Sequence, residues 1–260
     1  MYPVLFHIAD MPVHSYYLLW TAALMVAVTT TRSRMTRIYG IEDETARVLI
    51  IWCFFGMLLG ARAGSVYDSW HLYGADPVRI LRFWEGGLSS VPAFLAAGGV
   101  AFLNSFFRKI PFWKIVDAAA VPAALTVAIG RWGCFLNGCC TGIRTTVPWA
   151  VHFPGDPAGV FRHPTQLYYA FGALLITAVL QWTEATKLGH GEDRRIEGAV
   201  LCPIFTFSYS LLRIFADPYR VEFTRIGLQT NRNILFFVAA ASLLWLVHSL
   251  LRRKRCIRNL

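Results

Sequence analysis

The sequence predicts an all-α membrane protein with seven transmembrane helices, its N-terminus outside the cell and its C-terminus in the cytoplasm. Composition is the first reason: 56% of the 260 residues are hydrophobic and only 15% are charged, whereas soluble domains carry about 25% charged residues. The second is that the apolar residues form seven stretches of membrane-spanning length. The third is an uneven distribution of lysine and arginine between the loops. We therefore exclude a water-soluble globule and expect a single transmembrane domain over residues 1–260.

Each apolar stretch is expected to be a helix that crosses the bilayer. A hydrocarbon core takes about 20 mostly apolar helical residues to cross, and lipid offers no hydrogen-bond partner to free backbone groups. The first basic residue is Arg32, so no charged region precedes the first stretch and we expect no secretory signal peptide. The predicted spans are Tyr16–Thr31, Val48–Val66, Gly87–Phe107, Ile115–Leu136, Thr165–Trp182, Ala199–Ala216 and Ile234–Leu251.

The basic residues between the spans predict the orientation. Fourteen lie on one side, at positions 32, 34, 37, 108, 109, 114, 187, 194, 195, 252, 253, 254, 255 and 258. Seven lie on the other, at positions 79, 82, 144, 162, 220, 225 and 232. Since cytoplasmic loops carry the excess of lysine and arginine, the basic C-terminus is predicted to be cytoplasmic.

The seven arginines of the outer loops indicate an anionic ligand on that side of the membrane. Topology would be satisfied equally well by neutral or acidic loops. For Arg79 and Arg225 the alternative is that they anchor the chain at lipid headgroups. We expect no nucleic-acid partner, because topology accounts for the net charge of +10.

Three arginines fall within predicted spans: Arg62, Arg131 and Arg213. An arginine in the bilayer costs at least about 2.5 kcal/mol to insert and is usually paired or lines a polar cavity. Arg131 and Arg213 stand near the outer ends of the fourth and sixth spans, where two guanidinium groups can hold a phosphate. The alternative is an ion pair with Asp217 or Glu85 that only holds helices together.

A glycine-rich motif, GRWGCFLNGCCTG, occupies Gly130 to Gly142 and contains Arg131. Its glycines allow close helix packing and a break in the helix, and the Asn137 amide can bridge loops. The next segments, PWAVHFPG and RHPTQLYY, supply more polar side chains on the outer side. These are His152, Arg162, His163, Gln166 and Tyr168, with Pro164 expected to start the fifth helix.

The cysteines leave a different function open. Cys134, Cys139 and Cys140 cluster in the motif, and a membrane thiol-redox protein would use them. Against this, adjacent cysteines form only a strained ring, and Cys134 and Cys139 point apart unless the helix breaks at Gly138. A transporter is a further alternative, but the chain shows no internal repeat.

The motif together with PWAVHFPG and RHPTQLYYA resembles the signature region of the bacterial prolipoprotein diacylglyceryl transferase family. Further matches follow the chain: SYYLL at Ser15–Leu19, LLGARAG at Leu58–Gly64, RFWEGGLS at Arg82–Ser89, Tyr209 to Arg213, and the basic C-terminus. The resemblance implies a multi-pass enzyme of the bacterial inner membrane. It would move the diacylglyceryl group of phosphatidylglycerol onto the lipobox cysteine of a preprolipoprotein signal peptide, forming a thioether and releasing glycerol phosphate. It implies no metal and no organic cofactor.

By the same resemblance, Arg131 and Arg213 hold the lipid phosphate. Tyr16 and Tyr209 match the functional tyrosines of the family, and Asn137 and Gly142 match its signature asparagine and closing glycine. His163 and Gln166, in the following segment, are further candidate substrate-binding residues.

The chain departs from the family pattern at Cys134, Cys139 and Tyr169 and along Ser90–Ala93, where the family has an aromatic residue, a histidine and two glycines. Cys134 replaces an asparagine, Cys139 an acidic residue, Tyr169 a glutamate, and Val91 a histidine that is the proposed base. Thiol deprotonation would then come from elsewhere, and His152 or His163 could substitute. The alternative is a non-catalytic paralogue that binds an anionic lipid or lipopeptide.

Overall fold

The computed structural model describes residues 1–8, 11–74, 76–83, 86–87, 89–187, 199–221 and 225–258. They divide into two compact units: the first comprises Met1–Thr31 and Val116–Leu260, and the second comprises Arg32–Ile115. The sequence-predicted residues Glu85, Arg194 and Arg195 lie outside the described residues. The helices are α1 (Ser15–Arg37), α2 (Asp43–Asp68), α3 (Trp70–Gly74), α4 (Ser90–Arg108), α5 (Phe112–Asn137), α6 (Thr165–Lys187), α7 (Leu201–Ala216) and α8 (Arg225–Arg258).

The helical prediction is confirmed. Apart from the first residues of two of them, all seven predicted spans lie within helices, namely α1, α2, α4, α5, α6, α7 and α8. Within the described part of the chain, three helical segments are long and apolar enough to cross a membrane: Asp43–Asp68, Phe112–Asn137 and Asn231–Ser249. Many large apolar side chains on the helices are exposed, which suits a lipid surrounding better than water.

A short antiparallel hairpin precedes α1 and corrects the prediction of helices only. Strand β1 (Val4–Ile8) pairs with β2 (Met11–His14) so that Val4 lies opposite His14. The backbone N–H of the fully buried Ser15 then donates to the carbonyl of Pro3 over 2.9 Å. This bond ties the start of α1 to the base of the hairpin.

The core of the first unit lies between α5, α6 and α7. Seven buried apolar residues form it: Ala120, Val121, Ala124, Ile176, Leu180, Val200 and Leu201. Beside it the buried carboxylate of Asp117, on α5, accepts backbone N–H bonds from Val200, Leu201 and Cys202 over 2.7 to 3.2 Å. A negative charge at a helix N-terminus satisfies free donors and complements the helix dipole. Asp117 therefore fixes the start of α7 to α5.

In the second unit, α2 packs closely against α4 through small residues. A Cβ atom added to Gly60 would lie 2.6 Å from the carbonyl oxygen of Pro92, and one added to Gly64 would lie 2.3 Å from its ring. Both glycines belong to the sequence motif LLGARAG, and they lie four residues apart on one helical face. This small-residue spacing is typical of helices that pack in membranes.

Arg62 has a structural role in the second unit. Its side chain is buried and donates to the backbone carbonyls of Ile80, Gly86, Gly87 and Arg82 over 2.6 to 3.1 Å. It also bonds the Tyr73 hydroxyl over 3.1 Å and the carbonyl of Arg79. The guanidinium thus holds the segment that follows α3 against α2, and its buried charge is neutralised by carbonyl dipoles.

We predict that Arg62→Ala lowers the free energy of unfolding in detergent by at least about 3 kcal/mol, because several buried carbonyls lose their donor. Arg62→Lys should recover only part of this, since an ammonium group cannot reproduce the planar fork. The matched control is Arg47→Ala on the same helix, where an exposed ion pair is lost. Equal effects of Arg62→Ala and Arg47→Ala would contradict the assigned role.

Candidate active site

The predicted break in the motif helix occurs at Gly138. Helix α5 ends at Asn137, and Gly138 has a φ of +74°, which residues with side chains rarely adopt. The N–H of Gly138 donates to the carbonyl of Phe135 over 3.2 Å, and that of Cys139 donates to Cys134 over 3.1 Å. The chain turns sharply at this point, so the second half of the motif folds back beside the first.

The motif glycines on α5 bring α1 close. A Cβ atom on Gly130 would lie 2.8 Å from the Trp20 ring, and one on Gly133 would lie 3.5 Å from the carbonyl oxygen of Tyr16. The half-buried Tyr16 is thereby placed beside the motif. Asn137, another sequence-predicted residue, is the last residue of α5 and lies two positions before Cys139.

The turn after Gly138 is held by the start of α6. The Thr165 hydroxyl donates to the carbonyl of Cys140 over 3.0 Å, and the Gln166 amide nitrogen donates to that of Cys139 over 2.7 Å. Both side chains are buried. Helix α6 begins directly after Pro164, so the predictions that this proline starts the helix and that Gln166 lies in its first turn are confirmed.

Cys140 has a strained backbone within this turn. Its φ is +59°, a left-handed conformation that costs a non-glycine residue about 1 to 2 kcal/mol. Such strain persists only where the surroundings impose it, and it clusters at functional sites. Here the bonds from Thr165 and Gln166 impose it.

Gly142 closes the motif in a space that admits no side chain. Its N–H donates to the carbonyl of His163 over 3.0 Å. A Cβ atom would lie 2.4 Å from that same carbonyl oxygen and 2.8 Å from the carbonyl oxygen of Tyr219. Three backbone segments therefore meet at Gly142, which gives a physical reason for a glycine here.

Arg131 lies over an aromatic ring. Its guanidinium carbon is 4.5 Å from the ring centroid of the buried Tyr169, within the range of a cation–π interaction. Across the described residues, no carboxylate pairs with Arg131. Because a cation–π contact does not use up the N–H donors, those groups remain available to a ligand.

Arg213 forms the ion pair that was the alternative for it. Its Nη2 lies 2.9 Å from Oδ2 of Asp217, and its side chain is 24% exposed while that of Asp217 is 1% exposed. Asp217 also accepts from the Asn231 amide over 2.6 Å and from the Tyr169 hydroxyl. Tyr169 thus contacts Arg131 with its ring and the partner of Arg213 with its hydroxyl.

The remaining predicted residues are engaged in packing. His163 is buried, with its ring 4.7 Å from that of Tyr219 and its Nδ1 2.9 Å from the Tyr168 hydroxyl. His152 is exposed, and its Nδ1 lies 2.9 Å from the carbonyl of Val160. Tyr209 stacks on Phe205 with centroids 5.7 Å apart, against the core cluster of the first unit.

Arg162 forms a local ion pair. The sequence predicts this arginine on the outer side of the membrane. Its Nη2 lies 2.7 Å from Oδ1 of Asp156. This hydrogen-bonded guanidinium holds the pKa of the Asp156 carboxyl below its usual value. Arg162 therefore shapes the loop between α5 and α6.

The sequence predicts Asp217 as an ion-pair partner, and the structure confirms it. The sequence does not single out Tyr169, Thr165 or Asn231 as residues that shape the site. The spacing of Arg213 and Asp217, four residues apart on a helix, was the one usable signal.

Comparison with known proteins gives one family. A family model described as prolipoprotein diacylglyceryl transferase matches residues 3–248. A phosphatidylglycerol–prolipoprotein diacylglyceryl transferase of Synechococcus elongatus is 29% identical over 92% of this chain and 84% of its own length. Proteins of the same name from Bordetella bronchiseptica and Ectopseudomonas mendocina are 30% and 34% identical, each over 86% of this chain and over 82% and 83% of their own lengths.

We predict that Gly142→Ala destabilises the protein by about 1 to 3 kcal/mol, the usual cost of overpacking a site. The new methyl group would push against two backbone carbonyls, which cannot rotate away as a flexible side chain would. Gly155→Ala is the matched control, because a Cβ atom there meets nothing within 4 Å. Chemical unfolding in detergent measures both, and indistinguishable stabilities would refute the close packing.

Proposed function

Since the chain belongs to the prolipoprotein diacylglyceryl transferase family, we propose that it transfers a diacylglyceryl group from phosphatidylglycerol to the lipobox cysteine of a preprolipoprotein, with Arg131 at the centre of its lipid site. The relatives are named for phosphatidylglycerol and prolipoprotein, and both are taken as substrates here. The products are a thioether and glycerol phosphate. Residues 1–260 act in this proposal as a single transmembrane domain.

The state of Arg131 is the observation that carries the proposal. A half-buried guanidinium without a carboxylate partner among the described residues is costly in apolar surroundings. A lipid phosphate would supply the missing charge and accept two parallel N–H bonds from the planar fork. The Tyr169 ring, with its centroid 4.5 Å from the guanidinium carbon, helps to hold the fork in place before the lipid arrives.

The reaction makes use of such a cation. When the bond between the glycerol carbon and the phosphate oxygen breaks, negative charge builds on the phosphate, and a fixed cation stabilises it strongly in a dry site. Arg213 serves as the second cation in this proposal. Its pairing with Asp217 fixes its side chain, and its 24% exposure lets it reach a ligand.

The other candidate residues receive supporting roles. Tyr16 and Asn137, beside the motif cysteines, face the acceptor thiol, and Tyr209 lines the lipid site with its ring. Gly142, His163 and Gln166 position the turn that carries the cysteines, through the carbonyl bonds at each of them.

His152 and His163 remain the candidates for a base in place of the histidine that Val91 replaces. The Nδ1 of His163 is engaged with Tyr168, and that of His152 faces a backbone carbonyl. A base would use the Nε2 of either ring, and such a base typically contributes about 10²- to 10⁴-fold to a rate.

The location follows from the lipid substrate and the charge pattern. We place the protein in the bacterial inner membrane as a multi-pass chain of seven spans, with the motif turn at the outer side. The distribution of basic residues supports this orientation.

Arg131→Gln is expected to lower turnover by about 10²- to 10³-fold, as for the loss of one transition-state donor. Arg131→Lys should also be poorly tolerated, because lysine keeps the charge and loses the bidentate fork. His152→Ala, His163→Ala and the control Arg144→Gln, an exposed outer arginine, should change turnover far less. The assay follows labelled diacylglycerol from phosphatidylglycerol to a lipobox peptide. A near-native rate for Arg131→Gln would contradict the proposal that Arg131 holds the lipid phosphate.

For the topology, we predict that Arg144→Cys is labelled by an impermeant thiol reagent in intact cells and that Lys254→Cys is labelled only after the membrane is opened. Both are made in a background without native cysteines. Labelling of position 254 but not of position 144 from outside would reverse the proposed orientation.

A further inference from the structure

The three cysteines of the motif lie together at the turn after α5. The Sγ atoms of Cys134, Cys139 and Cys140 all lie within 4.8 Å of one another. An unbroken helix would hold the side chains of Cys134 and Cys139 apart, but α5 ends at Asn137. The condition for bringing Cys134 and Cys139 together is therefore met.

The spacing of the thiols suits one metal ion. Zinc binds thiolate sulfur at about 2.3 Å, so the sulfur atoms of a tetrahedral site lie about 3.8 Å apart. The observed spacing, at most 4.8 Å, is within about 1 Å of that value. Sulfur-only ligand sets favour soft ions such as zinc over magnesium or calcium.

The backbone prepares this arrangement. Gly138 and Cys140 both have positive φ angles, +74° and +59°, and the two carbonyls in the turn are held by the buried Thr165 and Gln166. Oε1 of Gln166 is itself buried and has no hydrogen-bond partner among the described residues. A ligand or a water bound beside the cysteines would supply its missing donor.

The set of ligands is one short of a closed site. No histidine, aspartate or glutamate of the described residues joins the three thiols. Structural zinc sites have four protein ligands, whereas catalytic sites have three and leave the fourth position to water or substrate. Two of the cysteines, Cys139 and Cys140, are half-buried rather than buried, so the group can be reached.

We propose that Cys134, Cys139 and Cys140 bind one zinc ion whose fourth position takes the lipobox cysteine of the acceptor as a thiolate. This role of the metal rests on the proposed transferase function. The zinc ion would replace the histidine base that is absent at Val91, because a thiol that coordinates a metal loses its proton outright. Two of these ligands, Cys134 and Cys139, stand where the family pattern has an asparagine and an acidic residue.

The acceptor S–H releases its proton to water as its sulfur binds the zinc. A sulfur lone pair then attacks the glycerol carbon of phosphatidylglycerol, and the bond from that carbon to the phosphate oxygen breaks. The electron pair leaves on glycerol phosphate, which takes up a proton, and the neutral thioether no longer competes as a strong zinc ligand.

Metal content tests the site without any assay of activity. The full-length protein, purified in detergent without chelators, is expected to hold about one zinc per chain by mass spectrometry. Cys139→Ser and Cys140→Ser should each lower this more than tenfold, whereas the control Cys202→Ser in α7 should not. Thermal unfolding shows which variants fold, and two ligand variants guard against a failure of either one.

Cobalt substitution tests the open position. Cobalt bound by the native chain should show a sulfur-to-metal charge-transfer band, and a lipobox peptide should change it while its serine counterpart does not. This change would support the metal site even if no lipid were transferred, a result that would count against the transferase proposal alone. Three free thiols without retained zinc, or a disulfide within the cluster, would overturn the metal site. Turnover that falls less than about tenfold after zinc removal would overturn its catalytic role.

Discussion

The site depends on how a helix is allowed to end in apolar surroundings. Backbone groups released at the end of α5 need partners, since neither lipid nor a packed core supplies them. The turn at Gly138 meets this need with its own bonds to Phe135 and Cys134 and with those from Thr165 and Gln166. Because those donors sit on the first turn of α6, the end of one helix and the start of the next are built as one structure. This structure positions the motif cysteines and Gly142, which follow or flank the turn, and Arg131 lies on the last two turns of α5.

The second constraint is the neutralisation of charge near Arg213. Asp217 is almost fully buried and is satisfied by Arg213, Asn231 and the Tyr169 hydroxyl. Tyr169 adds no negative charge to this neighbourhood. It has a polar contact with Asp217 and an aromatic ring beside Arg131. Arg131 is therefore left without a carboxylate partner among the described residues, which is the state that an anionic ligand requires.

The helical fold could be predicted from the sequence, because apolar stretches long enough to span a membrane must be helical there. The β1–β2 hairpin could not, since its strands are only five and four residues long. The role of Arg62 could not be predicted from the sequence. Its partners are backbone carbonyls 17 to 25 residues away, and every residue has a backbone carbonyl, so the sequence does not indicate which ones it contacts. Sequence alone therefore did not separate it from Arg131. The left-handed backbone of Cys140 was equally hidden, because cysteine does not favour it and only the contacts of the turn impose it.

These features join into one claim, that the chain is an active transferase although it lacks the histidine and acidic residues of the family pattern. Complementation of a bacterial strain depleted of its own transferase tests the claim most directly. We predict that the depleted strain grows when it carries this chain and that thioether-modified lipoproteins appear in its membrane. Failure to grow, with the chain present in the membrane at the level of a complementing control enzyme, would contradict it.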